Sequence, residues 1–382
     1  MSISRIKSIG PTFVRATVCS VITATLLSSG GAWAERASVA ENPTIDAALT
    51  VYEPVNKLEG KLTITGSDTM AMLTDQLAFE FTRLYGYPAV NVFVEHPGSN
   101  FAMREFLVGF SKQRRGDKSR SEGHEAAAYA DILASSRVMT PEERGHFKSR
   151  YGHDVLEIPI ALDGVGIYVH AANPIPQLTL QQVDAIFSSS RKLGWPSDIT
   201  SWDKAGVEEW SSRDIHLYGR DSKSGTREFF IQTALGGGTL RSDLHEQPGS
   251  AMEILSIARD PQAIGYAGIG YQGSFVKVVP IAAQANGQAV LPTAETVTDH
   301  RYPLSRKLYL YVNHEPGKKF ENPVLREFLL FVNSRQGQEI VSKAQFYPVT
   351  KEQLAQNLLL IQDKAATAGL ESNHRSGKVL PE

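Results

Sequence analysis

The sequence has one cysteine, Cys19. It falls in an N-terminal stretch that reads as a secretory signal peptide over residues 1–34. Arg5, Lys7 and Arg15 come first, an apolar run from Ala16 to Leu27 follows, and small residues end in Ala32-Trp33-Ala34, an A-x-A cleavage pattern. Cleavage after Ala34 would leave no cysteine, which excludes a disulfide, a thiolate metal ligand and a thiol nucleophile. The apolar run is shorter than the ~20 residues a spanning helix needs, and no later run is long enough either. An exported chain without disulfides fits a bacterial periplasm, because a chain of about 350 residues buries enough core to stand without cross-links.

Positive charge is also scarce. The chain has 39 Lys and Arg against 41 Asp and Glu, and the leader removes three basic residues and no acidic ones, leaving 36 against 41, or −5. Nucleic acid is thereby excluded as a bulk electrostatic partner. The ten histidines are scattered without an H-E-x-x-H pair, and G-x-S-x-G is missing, so the usual metallo- and serine-hydrolase signals are absent. No catalytic residue, metal or cofactor is expected, and His96 reads as a strand-end histidine. There is no internal repeat, and the length predicts about two domains.

What the sequence does have is a recurring loop chemistry. "GRDSKSGTREFF" (Gly219 to Phe230) follows an alternating, strand-like "DIHLYG" and runs into apolar residues at helical spacing. Ser222 or Ser224 could cap that helix, Gly225 permits close approach, and the first turn offers unpaired N–H groups at a positive dipole end. An anion fits there. Three more strand ends carry the same residue types: "GSDTM" (Gly66 to Met70) after "KLTIT", "PGSN" (Pro97 to Asn100) after "AVNVFVEH", and Ser135-Ser136-Arg137 closing "ADILASSR". Alternating strands and helices predict α/β layers with parallel sheets covered on both faces. Loops at the carboxyl ends of such strands line the ligand crevice.

The stretches "LTITGSDTM", "ADILASSR", "IPIALDGVGIYVHAANPIPQLTLQQVDAIFS", "GRDSKSGTREFF", "DPQAIGYAGIGY", "YPLSRKLYLYV" and "FLLFVNSRQGQEIVSKAQFYPVT" together cover most of the mature chain. In them the chain resembles the substrate-binding proteins of phosphate ABC transporters, the PstS type of periplasmic binding protein. The resemblance implies a two-lobed, type II-like fold, each lobe a mixed sheet flanked by helices, with phosphate in the interlobe cleft. It implies crossovers near Asp163–Gly166 and Ile264–Ala267. The division is then a linker over 35–60, one lobe from 61–163 plus 264–360, the other from 164–263, and a flexible tail over 361–382. Carried over by motif, the phosphate ligands are Ser67, Asp68 and Thr69, Ser99, Ser136 and Arg137, and Arg220, Ser224, Gly225 and Thr226. The implied partners are inorganic phosphate and an inner-membrane ABC permease, and the implied state is a periplasmic monomer.

Two features depart from the family pattern. Much of the family has, in the third loop, an aspartate that accepts a proton from bound phosphate, where this chain has Ser136 and Arg137. The candidate replacements are Asp68 and Asp221, with Asp68 expected because a carboxylate is stabilised at a helix start. The segment "SKQRRGDKSRSEGHEAAAYA" (Ser111 to Ala130) is longer and more basic than the family norm and reads as a solvated loop. The competing classes are an extracytoplasmic phosphatase and an adhesion- or secretion-linked paralogue that keeps the fold.

Overall fold

A computed structural model of the protein describes residues 45–108 and 130–362. The expected signal peptide, most of the basic loop and almost all of the tail lie outside the described residues. In chain order the elements are β1 (Gly60–Gly66), α1 (Ala71–Tyr85), β2 (Val90–Glu95), α2 (Ser99–Val108), β3 (Ile132–Ser135), α3 (Pro141–Tyr151) and β4 (Leu156–His170). Then come β5 (Leu178–Thr179), α4 (Leu180–Phe187), β6 (His216–Arg220), α5 (Gly225–Ala234), β7 (His245–Gln247), α6 (Ser250–Arg259) and β8 (Ala263–Gly268). The chain closes with β9 (Val276–Val279), β10 (Ile281–Ala282), α7 (Ala294–Thr298), β11 (Ser305–Val312), α8 (Pro323–Val332), α9 (Arg335–Lys343), β12 (Tyr347–Pro348) and α10 (Lys351–Ile361). No helix among the described residues is long and apolar enough to cross a membrane.

The strand β4 organises this list. Its sequence, LEIPIALDGVGIYVH, is nearly continuous apolar residues, and only Glu157 and His170 are less than fully buried. A run buried on both faces is what a central strand requires. Its first part, Leu156 to Gly164, pairs antiparallel with β11. From Val165 onward its partner changes to β8, with β9 on the other side. The main path of the sheet is therefore β2-β1-β3-β11-β4-β8-β6-β7, continuous through β4. The outward crossing expected near Asp163–Gly166 coincides with this change of partner.

A separate hydrophobic core lies at each end of β4. Ile158 and Ile160 pack with Leu62 and Ile64 of β1, Phe81 of α1, Leu310 of β11 and Phe328 of α8. Val165 and Ile167 pack with Phe187 of α4, Phe230 of α5 and Tyr266 of β8. Phe230 and Tyr266 stack with centroids 3.9 Å apart, fixing α5 against the sheet. Ile264 and Tyr266 of β8, and after them Tyr302 and Leu304, lie in the second core, and the chain next enters the first core at Leu308. The stretch read as a linker is anchored at two points, with residues 53–57 between them exposed. Tyr52 and Leu58 are buried in the first core, and the Tyr52 hydroxyl donates to Glu327 Oε2 at 2.9 Å.

Asp163 sits where β4 changes partners and is fully buried. Its Oδ2 is 2.8 Å from Arg306 Nε and 2.7 Å from Nη2, while Oδ1 accepts from Ile269 N at 3.0 Å. Burial pushes the Asp163 carboxyl up and the Arg306 guanidinium down, and each is held partly in check by the other's charge. Such a pair adds little over apolar residues but is costly to break, because the survivor is a buried lone charge. Arg306→Met should therefore destabilise the fold by about 3–5 kcal/mol in urea unfolding. Adding Asp163→Asn, which keeps an acceptor for Ile269 N, should recover part of that loss; a double variant no more stable than the single one would contradict this account.

Candidate functional site

Four loops meet at the carboxyl ends of β1, β2, β3 and β6. After β1, Ser67 turns the chain into a short 3-10 turn, Asp68–Met70, that leads into α1. Ser67 and Thr69 are 2 % exposed, and Ser67 N donates to Ala134 O of β3 at 3.0 Å. After β2, Gly98 has a φ of 102°, a left-handed value that suits glycine, and Ser99 opens α2. Ser136, past the end of β3, gives its backbone N–H to Ser99 Oγ at 3.1 Å, and the two hydroxyls are also 3.1 Å apart.

The fourth loop comes from the other half of the molecule. Ser224 caps α5, accepting from Arg227 N at 3.3 Å. Gly225 follows, and a Cβ there would lie 2.6 Å from Ser99 Cβ and 2.9 Å from Ser136 Oγ. Only glycine permits that approach. Thr226 Oγ1 is 2.7 Å from Thr69 Oγ1, and Asn100 N donates to Lys223 O at 2.9 Å. Buried hydroxyls from both halves thus pair with one another at the first turns of α2 and α5, where backbone N–H groups and the dipole favour negative charge.

Arg220 is the cation of this place, and it is 1 % exposed. Its Nη1 donates to Ser250 Oγ at 2.7 Å and its Nη2 to Pro248 O at 3.4 Å. Nη2 also lies 3.1 Å from Asp68 Oδ2, an oxygen that accepts in addition from Ser250 N at 2.9 Å. The Tyr271 hydroxyl donates to Asp68 O at 2.7 Å, and burial, followed by the Asp68 charge, pushes that phenol well above its ordinary value, so it remains a donor. Asp68 is thus the counterion of Arg220 and a tie between the first loop and α6. Asp221 instead accepts from Lys223 N at 3.1 Å within its own loop.

Arg137 takes a different part from the other nine residues proposed by motif. Its guanidinium forks onto Glu143, with Nη2–Oε1 at 2.7 Å and Nη1–Oε2 at 2.8 Å, and Nε donates to Asn100 Oδ1 at 2.7 Å. Burial alone would push the Glu143 carboxyl up, but Arg137 and Thr140 outweigh it and hold the group below its ordinary value. Most of the Arg137 donors are spent on holding the third loop to α3. His96 pairs with Asp75 Oδ1 at 2.9 Å beside α1.

The sequence reading missed Ser250, Pro248 and Tyr266, whose hydroxyl accepts from Arg220 N at 3.3 Å. A signal for Ser250 was present. Pro248-Gly249-Ser250 repeats the tripeptide Pro97-Gly98-Ser99, and each follows a strand and opens a helix at this site. No group of three or more metal-ligating side chains occurs among the described residues. No histidine is among the residues that form the site, so what the geometry can do is hold an anion through hydroxyls, N–H groups and one fixed guanidinium.

Comparisons with known proteins agree with this geometry. Residues 38–336 match the model of a PBP superfamily domain. The chain is 37% identical over 306 residues to the phosphate-binding protein PstS of Pseudomonas aeruginosa, a match covering 80% of this chain and 88% of that one. It is 29% identical over 211 residues to the PstS protein of Staphylococcus aureus, covering 54% and 60% respectively. Among solved structures, an ABC-type phosphate transport receptor from Vibrio cholerae shares the fold with a TM-score of 0.55 at 22% identity, over 75% of this chain and 99% of that one. A phosphate-binding protein from Stenotrophomonas maltophilia does so with a TM-score of 0.54 at 15% identity, over 78% and 92%. With two cores joined through one shared strand, and an anion-suited cleft between the loops of both, the chain belongs to the PBP superfamily and, within it, to the PstS family of phosphate-binding proteins.

Proposed function

We propose that this protein captures inorganic phosphate in the periplasm and delivers it to an inner-membrane ABC permease. The observation that carries the reading is Arg220, a buried guanidinium on one half of the molecule set among buried hydroxyls from both. In this reading Ser67, Thr69, Ser99, Ser136, Ser224 and Thr226 present hydroxyls or N–H groups to the oxyanion. Gly225 gives backbone access, and Arg220 offsets the anion's desolvation. Arg137 serves by position, through Glu143 and Asn100, rather than by direct contact. Asp68 Oδ2 is occupied by Arg220 and Ser250, which leaves Oδ1 to accept the proton that phosphate keeps near neutral pH and sulfate does not. The lobes divide as the two cores do, the protein works as a monomer, and the signal peptide exports it. His96, the catalytic candidate of a phosphatase reading, is engaged by Asp75 outside this cluster.

The energetics are within reach. Hydrogen bonds to charged groups contribute about 1.5–3 kcal/mol each, and micromolar binding needs about 8 kcal/mol net. Several such bonds suffice after ordering costs.

Calorimetry of the mature chain against phosphate, sulfate, molybdate and arsenate tests the reading, with phosphate expected to bind best. Arg220→Ala should weaken phosphate binding by at least about 100-fold, roughly 3 kcal/mol, with circular dichroism unchanged, whereas Lys223→Ala should do little. Unaltered affinity in the Arg220 variant would remove the site assignment. Closure of the lobes should appear in small-angle scattering as a more compact particle with phosphate than without, and superimposable curves would count against a hinged carrier. Asp68→Asn should narrow the preference for phosphate over sulfate, and Asp221→Asn should leave it nearly as it was. A ratio indifferent to both changes would mean that neither carboxylate is the acceptor.

A further inference from the structure

Behind Arg220 lies a second carboxyl that the binding reading does not use. Glu253, one turn into α6 from Ser250, has no solvent exposure. Its Oε1 accepts from Tyr266 N at 2.8 Å, and its Oε2 is buried without a hydrogen-bond partner. Arg220 Nε is likewise buried and without a partner. The two residues share their surroundings. Tyr266 gives its backbone N–H to Glu253 while its hydroxyl accepts from the Arg220 backbone N–H, and Ser250 on the Glu253 helix accepts from Arg220 Nη1. A Cβ at Gly265 would lie 2.9 Å from Glu253 Oε1, so the carboxyl rests against the strand at a place where a larger residue would crowd it.

We propose that Glu253 is a positioning residue for anion capture, a buried carboxyl whose proton decides how much of the Arg220 charge the bound anion feels. This rests on the reading of the cleft as an oxyanion site. With the proton on, Arg220 has Asp68 as its carboxylate partner and the balance of its charge acts on the anion. With the proton off, a second carboxylate competes for the same guanidinium and repels the ligand.

The groups around Glu253 give this change its direction. The elements packed on α6 are β4, β6, β7, β8 and β9. From β6 come Arg220 and Tyr218, whose hydroxyl is taken by Asp260; from β8 comes Tyr266 and from β4 Tyr168. From β7 come His245, its ring against Tyr218, and Glu246, paired with Arg227. Lys277 of β9 donates to Ile175 O, and Asp68 reaches in from the first loop. Arg220 is thus the cation whose charge bears on Glu253, with Asp68 opposing it. Burial first pushes the Glu253 carboxyl up, to about 8; Arg220 and the Tyr266 N–H pull it down and Asp68 adds to the rise. An anion bound at Arg220 adds further negative charge, so it strengthens proton binding at Glu253. By reciprocity, the proton strengthens anion binding. Affinity for the anion therefore falls as pH rises through about 8.

The test is calorimetric titration of inorganic phosphate into the mature wild-type chain and into Glu253→Gln, at about pH 6 and about pH 9. Glutamine keeps an acceptor for Tyr266 N but cannot ionise. Phosphate's own second ionisation affects both chains alike, so the ratio of their dissociation constants isolates Glu253. We expect wild type to weaken about fivefold more than the variant between the two pH values, the part of a one-unit shift on binding, for a group near 8, that is complete by about pH 9. A constant ratio, with both chains binding phosphate, overturns the role of Glu253 and leaves the phosphate reading standing. Absence of binding in both chains overturns both. Should the variant fail to fold, binding heats of wild type at about pH 8.5 in buffers of different ionisation enthalpy report the same event. Proton uptake by the protein is expected there, and none overturns the proposal.

Discussion

Keeping the guanidinium of Arg220 charged at 1 % exposure is the demand that shapes the rest of the site. A buried charge without partners costs several kcal/mol, so the surroundings must supply acceptors without cancelling the charge altogether. Ser250 Oγ and Pro248 O supply neutral acceptors, and Asp68 supplies one carboxylate that is itself shared with Ser250 N and is partly exposed. The compensation is therefore incomplete by construction, which is what leaves an electrostatic role for a bound oxyanion. It also explains why Asp68 comes from the loop after β1 while Arg220 ends β6: an ion pair between the two halves draws their loops together over the same ground that a ligand would occupy.

Two other buried arginines are held by carboxylates elsewhere in the fold. Arg137 meets Glu143 in a fork and adds Asn100 and Val138 O, and Arg306 is paired with Asp163 and lies over the Phe229 ring at 5.3 Å. The first holds the third loop on α3, and the second stands where β4 passes from one core to the other. Of the three arginines buried among the described residues, Arg220 is the one whose carboxylate partner, the partly exposed Asp68, lies in a hydroxyl-bearing loop.

Much of this was legible because strand ends and helix starts depend on local chemistry. The apolar residues of "AMLTDQLAFEFTRLY" recur at helical spacing and the stretch is α1, while the serine-rich loops came together as their shared composition implied. What was not legible depends on partners that lie outside each short motif. Nothing local in "ASSR" reveals that Arg137 turns to Glu143, because that choice is made by the capping box of α3. The burial of Tyr52 depends on α8 and α1, so a stretch poor in local signals read as linker. Ser250 stood in plain view in a second Pro-Gly-Ser and was passed over, since the tripeptide by itself is compatible with any helix start. Glu253 is an acid in the first turn of α6, and only the packing of α6 on β8 gives it its isolation.

The hydroxyl pairs also bear on where affinity comes from. Thr69 already pairs with Thr226 between the two halves, and Ser99 with Ser136 within the first. In the proposed reading, an anion that enters exchanges those neutral bonds, worth about 0.5–1.5 kcal/mol net each, for charge-assisted ones worth about 1.5–3. The gain per hydroxyl is thus about 1 kcal/mol, too small for the hydroxyls alone to reach micromolar affinity after ordering costs. The larger share must come from the N–H groups at the starts of α2 and α5 and from Arg220, whose charge is fixed before the ligand arrives. In such a site the serines and threonines set the shape of the cradle, and the few charged groups around one guanidinium set how tightly, and at what pH, it holds.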